Sequence, residues 1–422
     1  MNDFNITANT GRSYEITNCQ LCNSEKLNRV FFFGFHPTVN DFKSFNEPKN
    51  SIESFPLELF LCQDCSLVQL SLIVDPKKLF PPEYAYTSGT TTILINNFLN
   101  LANECKEILN LPNSPKIIDI GSNDGTLLKA FKNCGFKVLG VEPTDVYKKA
   151  ISSGIDTINS LFDDNAVSQI KNKKFNADII TATNVFAHIE DLHGVVSRIK
   201  DLMHEDTVFV SESHYFEKFI ETSQFDTVYH EHLRYYTLKN LITLFDMHGL
   251  EVFHATEIPT HGGSIRVYTS KKDKYKKTKN FEQILNSENN QKKMDERLLD
   301  LSKDIKKAKQ SIMKTLSDLK LQNKSIVGIG APSRASTLIN FLGLNNEYID
   351  YIGEISNSLK IGKFIPGTNI PVVDEERIFN ENPDYVINFS WHINEDIKKI
   401  LKKKGYKGNL IVPLPLPIIE CI

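Results

Sequence analysis

The chain of 422 residues contains no apolar run approaching the ~20 residues that a membrane span requires, so no membrane partner is expected. The opening stretch MNDFNITANTGRSYEITN lacks a charged segment followed by an apolar one. A secretory leader is therefore not expected, and the reading is a cytoplasmic protein. Charge of one sign is also scarce. A net charge of -3 argues against a nucleic-acid coat or a polybasic membrane anchor. There is no short-period repeat and no low-complexity tract beyond lysine-rich surface. What remains, 41% hydrophobic and 24% charged, is an ordinary globular composition with length for two or three domains.

Of seven cysteines, four have a pattern. Cys19-Gln-Leu-Cys22 and Cys62-Gln-Asp-Cys65 are two CxxC turns. One such turn offers two thiolates to an ion, and a second completes a tetrahedron around zinc. In a reducing compartment a disulfide framework is the poorer alternative. Four sulfur ligands leave no open position, so the zinc is read as structural. The spacing between the pairs calls for an intervening loop. Cys105, Cys134 and Cys421 read as ordinary thiols.

Beyond the cysteine module the pattern alternates. Apolar residues at helical spacing over about 91–109 predict a helix. Short buried strands follow at 115–121, 137–143, 178–186 and 206–213, with helices between them, including one at about 191–203. That alternation implies a parallel, doubly wound sheet. A charged stretch over about 278–323 carries Leu298, Leu301, Ile305, Ala308, Ile312, Leu316 and Leu319, a helical stripe that should pack on the body. The strand–helix pattern then restarts with SIVGIGA, YIDYIGE, the loop GKFIPGTNIPV and PDYVINF, a second and smaller α/β unit.

Two glycine turns suggest ligands. The first, DIGSNDGTLL (119–128), follows a strand and opens a helix. Gly121 and Gly125 let backbone amides approach a ligand, and Asp119 can hold a cationic amino-acid moiety. Glu142 ends the next strand, where an acid can accept from ribose hydroxyls. ATNVFAH (182–188) ends another strand on the same side. Together these resemble the class I S-adenosylmethionine (SAM) methyltransferases. The cofactor candidates are Asp119, Gly121, Ser122, Asn123, Asp124, Gly125, Glu142, Pro143 and Asn184. The second turn, GIGAPSRAST (328–337), offers Gly330, Ser333 and a helix N-terminus to an anion such as a nucleotide diphosphate, with Arg334 as fixed charge.

The run DTVYHEHLRYYTL (226–238) concentrates histidine, glutamate and tyrosine. A metal site would need His230 and His232 on one face and a third ligand, for which His261 is a candidate. A proton-transfer site would use His232 with Glu231 beside it. A polar strand edge is the bland alternative.

Taken in order, the double CxxC module, YAYTSGTT, DIGSNDGTLL, NVFAHIEDLH, YHEHLRYYTL, THGGSIRVY, GIGAPSRASTL and GKFIPGTNIPV resemble the sugar C-methyltransferases that act on nucleotide-linked keto sugars. The resemblance spans nearly the whole chain. It implies a zinc-binding module at 1–80, a SAM-type Rossmann domain at 81–275, and a long helix plus a Rossmann-like nucleotide-sugar domain at 276–422. It implies His232 as base, with Glu231, Tyr229, His188 and Tyr84 or Tyr86 in the sugar pocket. His261, Gly262, Gly263, Ser264, Arg266 and Lys363 join Gly330, Ser333 and Arg334 as substrate candidates. The implied reaction adds a methyl to a carbon beside the 4-ketone of a 6-deoxy sugar, carbon 3 being the expected position. Arg334 replaces the commoner lysine of its turn, and Trp391 and His392 stand in an unexpected order. Both bear on sugar and nucleotide identity. Transfer to oxygen or nitrogen, an NAD-dependent oxidoreductase and a non-enzymatic scaffold are the alternatives. The chain is expected as a monomer or small homo-oligomer.

Overall fold

The computed structural model describes residues 13–47, 53–80, 89 and 92–422. Its centre is a seven-stranded sheet. In spatial order the strands are Leu250–Ile258, Ser264–Lys271, Val208–His214, Ile179–Thr183, Lys116–Ile120, Lys137–Val141 and Thr157–Ile158. The last five run parallel, and Ser264–Lys271 is antiparallel to both of its neighbours. The central parallel strands Lys116–Ile120, Lys137–Val141 and Ile179–Thr183 are near-continuous apolar runs, as expected where helices cover both faces. The parallel strands therefore all end on one edge, where ligands bind in open α/β sheets.

The four strands read from sequence fall where expected, as does the helix Thr92–Ile108, which buries Leu94, Phe98, Leu101, Ala102 and Cys105. Helix Leu192–Leu202 starts at Asp191, whose carboxylate accepts from the Gly194 amide at 3.0 Å, a cap worth about 1 kcal/mol. The hairpin of Leu250–Ile258 and Ser264–Lys271 was not anticipated. It carries buried polar residues such as His254, Thr269 and Arg266, which hide its apolar rhythm.

The charged stretch divides into two helices, Lys279–Asn289 and Met294–Leu321, broken at residues 290–293. All seven apolar residues of the expected stripe are buried, so the period was right and the continuity was not. The loop GKFIPGTNIPV contains two short antiparallel strands, Lys363–Phe364 and Pro371–Asp374.

The two remaining large sheets cross the expected units. A four-stranded antiparallel sheet is built from Leu27–His36, Phe55–Cys62 and Val68–Leu70, and is completed by Arg234–Tyr235, which follow the YHEH run. The eight-stranded C-terminal sheet includes Ile326–Ile329, Ile352–Glu354 and Tyr385–Asn388, and its edge is Lys43–Ser44 from the N-terminal region. Residues from all three regions share one core, with Leu57, Phe225 and Leu338 among them. No helix among the described residues is long and apolar enough to cross a membrane.

Candidate active site and metal centre

The four cysteine sulfurs converge. Cys19 and Cys65 stand 3.5 Å apart, as do Cys22 and Cys62, and all four ligand atoms lie within 4.8 Å of one another. Tetrahedral zinc with thiolates at ~2.3 Å would place its sulfurs at such separations. Among the described residues no other group of histidine, cysteine or carboxylate side chains is arranged to hold an ion. Cys105, Cys134 and Cys421 lie apart from the cluster as free thiols.

At the cofactor edge, Gly121 and Gly125 have φ of 70° and 78°. A side chain at Gly121 would also strike Val185, its Cβ falling 2.6 Å from Val185 Cγ2. The left-handed turn thus brings the first glycine against the loop after Ile179–Thr183. Glu142 spans the turn: it accepts from the Asn123 amide at 2.9 Å and from the Thr144 amide at 2.8 Å. The Pro143 carbonyl accepts from Asn159 at 3.1 Å. Asp124 accepts from the Gly89 amide at 2.9 Å, which ties the end of the EYAYTSG stretch to this turn. Tyr84 and Tyr86 themselves lie outside the described residues. Asn184 takes a left-handed conformation and donates its amide to Glu212 at 2.9 Å. Ser122 is buried, and its hydroxyl has no partner among the described residues.

Asp119 is 2% exposed and accepts from the Thr181 hydroxyl at 2.6 Å. Burial pushes its carboxyl up to about 8, with Glu142 and Glu212 adding repulsion against the Thr181 bond. It has no cation beside it among the described residues. A buried acid lacking a counter-charge suits the cationic end of SAM.

The YHEH run is a turn, not a strand, and its two histidines part company. His230 points to the N-terminal sheet, its Nε2 at 3.2 Å from the Pro56 carbonyl and its ring against Phe55. His232 turns instead into a cluster of rings from the central domain. Its ring stacks 4.0 Å from Tyr229 and meets His188 at 4.9 Å and His214 at 5.5 Å. His261 adjoins His214 at 6.0 Å, and His392 approaches from the C-terminal sheet with His261 and Arg334 near it.

Nδ1 of His232 is 2.8 Å from the Thr227 carbonyl. A carbonyl only accepts, so Nδ1 carries the proton and Nε2 keeps its lone pair. Burial, and then neighbouring His188, hold His232 well below the usual histidine range. Burial likewise takes His188 and His261 down to about 4. These rings are only partly exposed, and the protein that supplies most of their surroundings keeps them neutral. Glu231 is buried and accepts from Asn40 of the N-terminal region at 2.6 Å.

The substrate candidates separate into groups. Gly262 accepts at its carbonyl from Gln224 at 2.6 Å, and Gln224 in turn accepts from Arg334 at 2.9 Å. Gly263 accepts from the Tyr215 amide at 3.2 Å. Ser264 is fully buried and donates to the Thr260 carbonyl at 3.0 Å, a bond that closes its own turn. Gly330 donates to the Gly353 carbonyl at 2.8 Å, and Ser333 opens the helix Ser333–Leu342.

Arg266 requires a correction. Its guanidinium is committed to Glu212 at 2.7 Å, Asn97 at 2.9 Å and Glu104, in a buried cluster under the helix Thr92–Ile108. The basic residue of THGGSIR therefore braces the sheet and leaves no free fork for substrate. Lys363 pairs at the sheet edge with Ser44. Lys360 is the lysine at the glycine turn, donating to the Ala331 carbonyl at 2.7 Å, with Glu354 and Glu231 acting on its charge.

Sequence reasoning missed Lys360, Asn40, Thr227 and His214. The place of His214 at the carboxyl end of a parallel strand was a usable signal. A backbone carbonyl such as that of Thr227 leaves none.

A mixed Rossmann sheet of this strand order, with a glycine turn between two acids, defines a SAM-dependent methyltransferase. Residues 19–80 match the zinc binding domain family, 96–255 the methyltransferase domain family and 259–415 the C-methyltransferase C-terminal domain family. The chain is similar to the C-methyltransferase NovU of Streptomyces niveus, 28% identical over 408 residues, covering 95% of this chain and 96% of that protein. The three matches follow one another along the chain and, with that similarity, make it a SAM-dependent C-methyltransferase with an N-terminal zinc binding domain.

Among solved structures, a SAM-dependent methyltransferase from Clostridium acetobutylicum is 15% identical and covers 43% of this chain and 93% of its own, at TM-score 0.34. The magnesium protoporphyrin IX methyltransferase of Synechocystis is 10% identical and covers 42% and 77%, at TM-score 0.31. Likeness at that level is too slight to bear on function.

Proposed function

We propose that the enzyme methylates a carbon beside the ketone of a nucleotide-linked 4-keto-6-deoxy sugar, carbon 3 being the expected position, through an enolate. The observation that supports this best is the His232 tautomer: a neutral imidazole with its Nε2 lone pair in a cleft of uncharged rings. The nearness of the cofactor turn agrees with this reading: Gly121 abuts Val185, and His188 of the same loop meets the His232 ring.

A ketone acidifies the neighbouring C–H, and Nε2 of His232 takes that proton. The pair of electrons moves onto the ketone oxygen, where Tyr229 and the surrounding imidazoles serve as donors. Glu231, held by Asn40, and Tyr84 or Tyr86 complete the sugar pocket in this proposal. Asp119, Glu142 and the turn 121–125 hold SAM, which supplies a methyl group on sulfur already activated for displacement. His261, Arg334, Ser333 and Lys360 face the nucleotide diphosphate. The division at 1–80, 81–275 and 276–422 belongs to the same proposal.

The test is His232→Asn. It should fold, bind SAM and the nucleotide-sugar, and lose on the order of 10²- to 10⁴-fold in turnover. A variant turning over near the wild-type rate would remove His232 as the base.

A further inference from the structure

The segment 224–228 supplies the carbonyl that sets the base, and the C-terminal domain grips it from three directions. Trp391, the only tryptophan of the chain, donates its indole N–H to Asp226 at 2.7 Å. Arg334 Nε lies 3.5 Å from the same carboxylate oxygen, and its guanidinium sits over the Trp391 ring at 5.2 Å. Arg334 also donates to the side chain of Gln224 at 2.9 Å. Thr337 donates to the Val228 carbonyl at 3.0 Å. Within the segment, the Thr227 amide and hydroxyl both donate to the Gln224 carbonyl, at 2.9 and 2.7 Å. Thr227 therefore has little freedom, and its own carbonyl is aimed at His232 Nδ1 at 2.8 Å. Asp226 is 1% exposed, so its carboxylate is costly to bury for packing alone.

We infer that Asp226 is a positioning residue for the proton-abstracting histidine, and that Trp391 and Arg334 hold it from the C-terminal domain. The inference rests on His232 being the base. Neither Asp226 nor Trp391 needs to touch the sugar. Their function is to keep the Thr227 carbonyl where it fixes the His232 tautomer and strengthens Nε2 as an acceptor. A base is thereby assembled only when the C-terminal domain is seated on the turn. The lone tryptophan reports on that seating.

The experiment uses the full chain with S-adenosylhomocysteine, so that no methyl can transfer. A nucleotide-linked 4-keto-6-deoxy sugar is incubated in D2O, and exchange of the hydrogen beside the ketone is followed by NMR. Wild type should exchange and His232→Asn should not. Trp391→Phe, which keeps the ring bulk and removes only the N–H donor, should slow exchange by roughly 10- to 100-fold with the sugar KM nearly unchanged. The acid limb of the rate should move to lower pH, because an imidazole relieved of its carbonyl acceptor is a weaker base. Asp226→Asn should behave likewise, and the Trp391 emission should shift in that variant.

Undiminished exchange in Trp391→Phe, or a loss seen only in KM with the pH limb unmoved, would overturn the positioning role while leaving His232 as base. Absence of exchange in wild type, or full exchange in His232→Asn, would overturn the base assignment and the positioning role with it.

Discussion

At His232 the proton sits on Nδ1 because the Thr227 carbonyl can only accept it, so the tautomer of the proposed base is set by backbone. Its neighbours His188 and His261 titrate at about 4, since burial disfavours the imidazolium. A base already neutral at pH 6.5 gains nothing as pH rises past that value. At saturating SAM, where the ionisation of Asp119 does not limit binding, the methyl-transfer rate should hold its plateau through pH 6.5 and fall only in more acidic solution. A pH–rate profile breaking at 6.5 or above would contradict this.

The same shifts act on stability. Between pH 6.5 and about 4 the unfolded chain binds protons that the native His188 and His261 refuse. Their contribution is therefore complete above pH 6.5 and is lost as pH falls through that window. Asp119, raised to about 8, carries the opposite slope. The four cysteines were legible one residue at a time, because their type and spacing announce a metal, and they do converge; Asp119, Glu142 and His232 were singled out the same way and lie where the proposed function needs them. Arg266 misled because a charge in a glycine-rich motif reads as a ligand, whereas its partners Glu104 and Glu212 come from distant elements.

Among elements, regular periodicity was the reliable guide. The stripe from Leu298 to Leu319 is buried in full, and four of the five parallel strands begin and end near the expected positions, the two-residue Thr157–Ile158 being the one not read. Two-residue strands carry no period. Thus Arg234–Tyr235 and Lys43–Ser44 gave no sign of joining sheets in other regions. The first of these has a consequence for the zinc. The cysteine-bearing strand Phe55–Cys62 pairs with Val68–Leu70, which pairs with Arg234–Tyr235, two residues beyond His232. Removing the metal should loosen this ladder where the base is anchored, because closed thiolate sites contribute directly to folding. Chelation, or Cys62→Ser, is expected to lower the melting temperature and methyl transfer together while calorimetry shows SAM still binding. Full activity in metal-free protein would contradict that coupling.

Across the whole molecule, all three regions send side chains to the segment 226–232 and its neighbours. Asn40 comes from the N-terminal region, His188 and His232 from the methyltransferase domain, and Arg334, Lys360 and Trp391 from the C-terminal domain. The SAM turn is complete within the central sheet, so the other two regions are free to shape the acceptor site. Under the proposed function, the reacting sugar would lie by the histidines with its diphosphate toward Ser333 and Lys360.

The most direct measurement is mass spectrometry of a nucleotide-linked 4-keto-6-deoxy sugar and its non-keto parent, each incubated with enzyme and SAM. Gain of one methyl on the keto sugar alone is the predicted result, because only there is a carbon acidic enough for His232. Methyl gain on both sugars would contradict the carbon-acid mechanism and point to transfer onto oxygen or nitrogen.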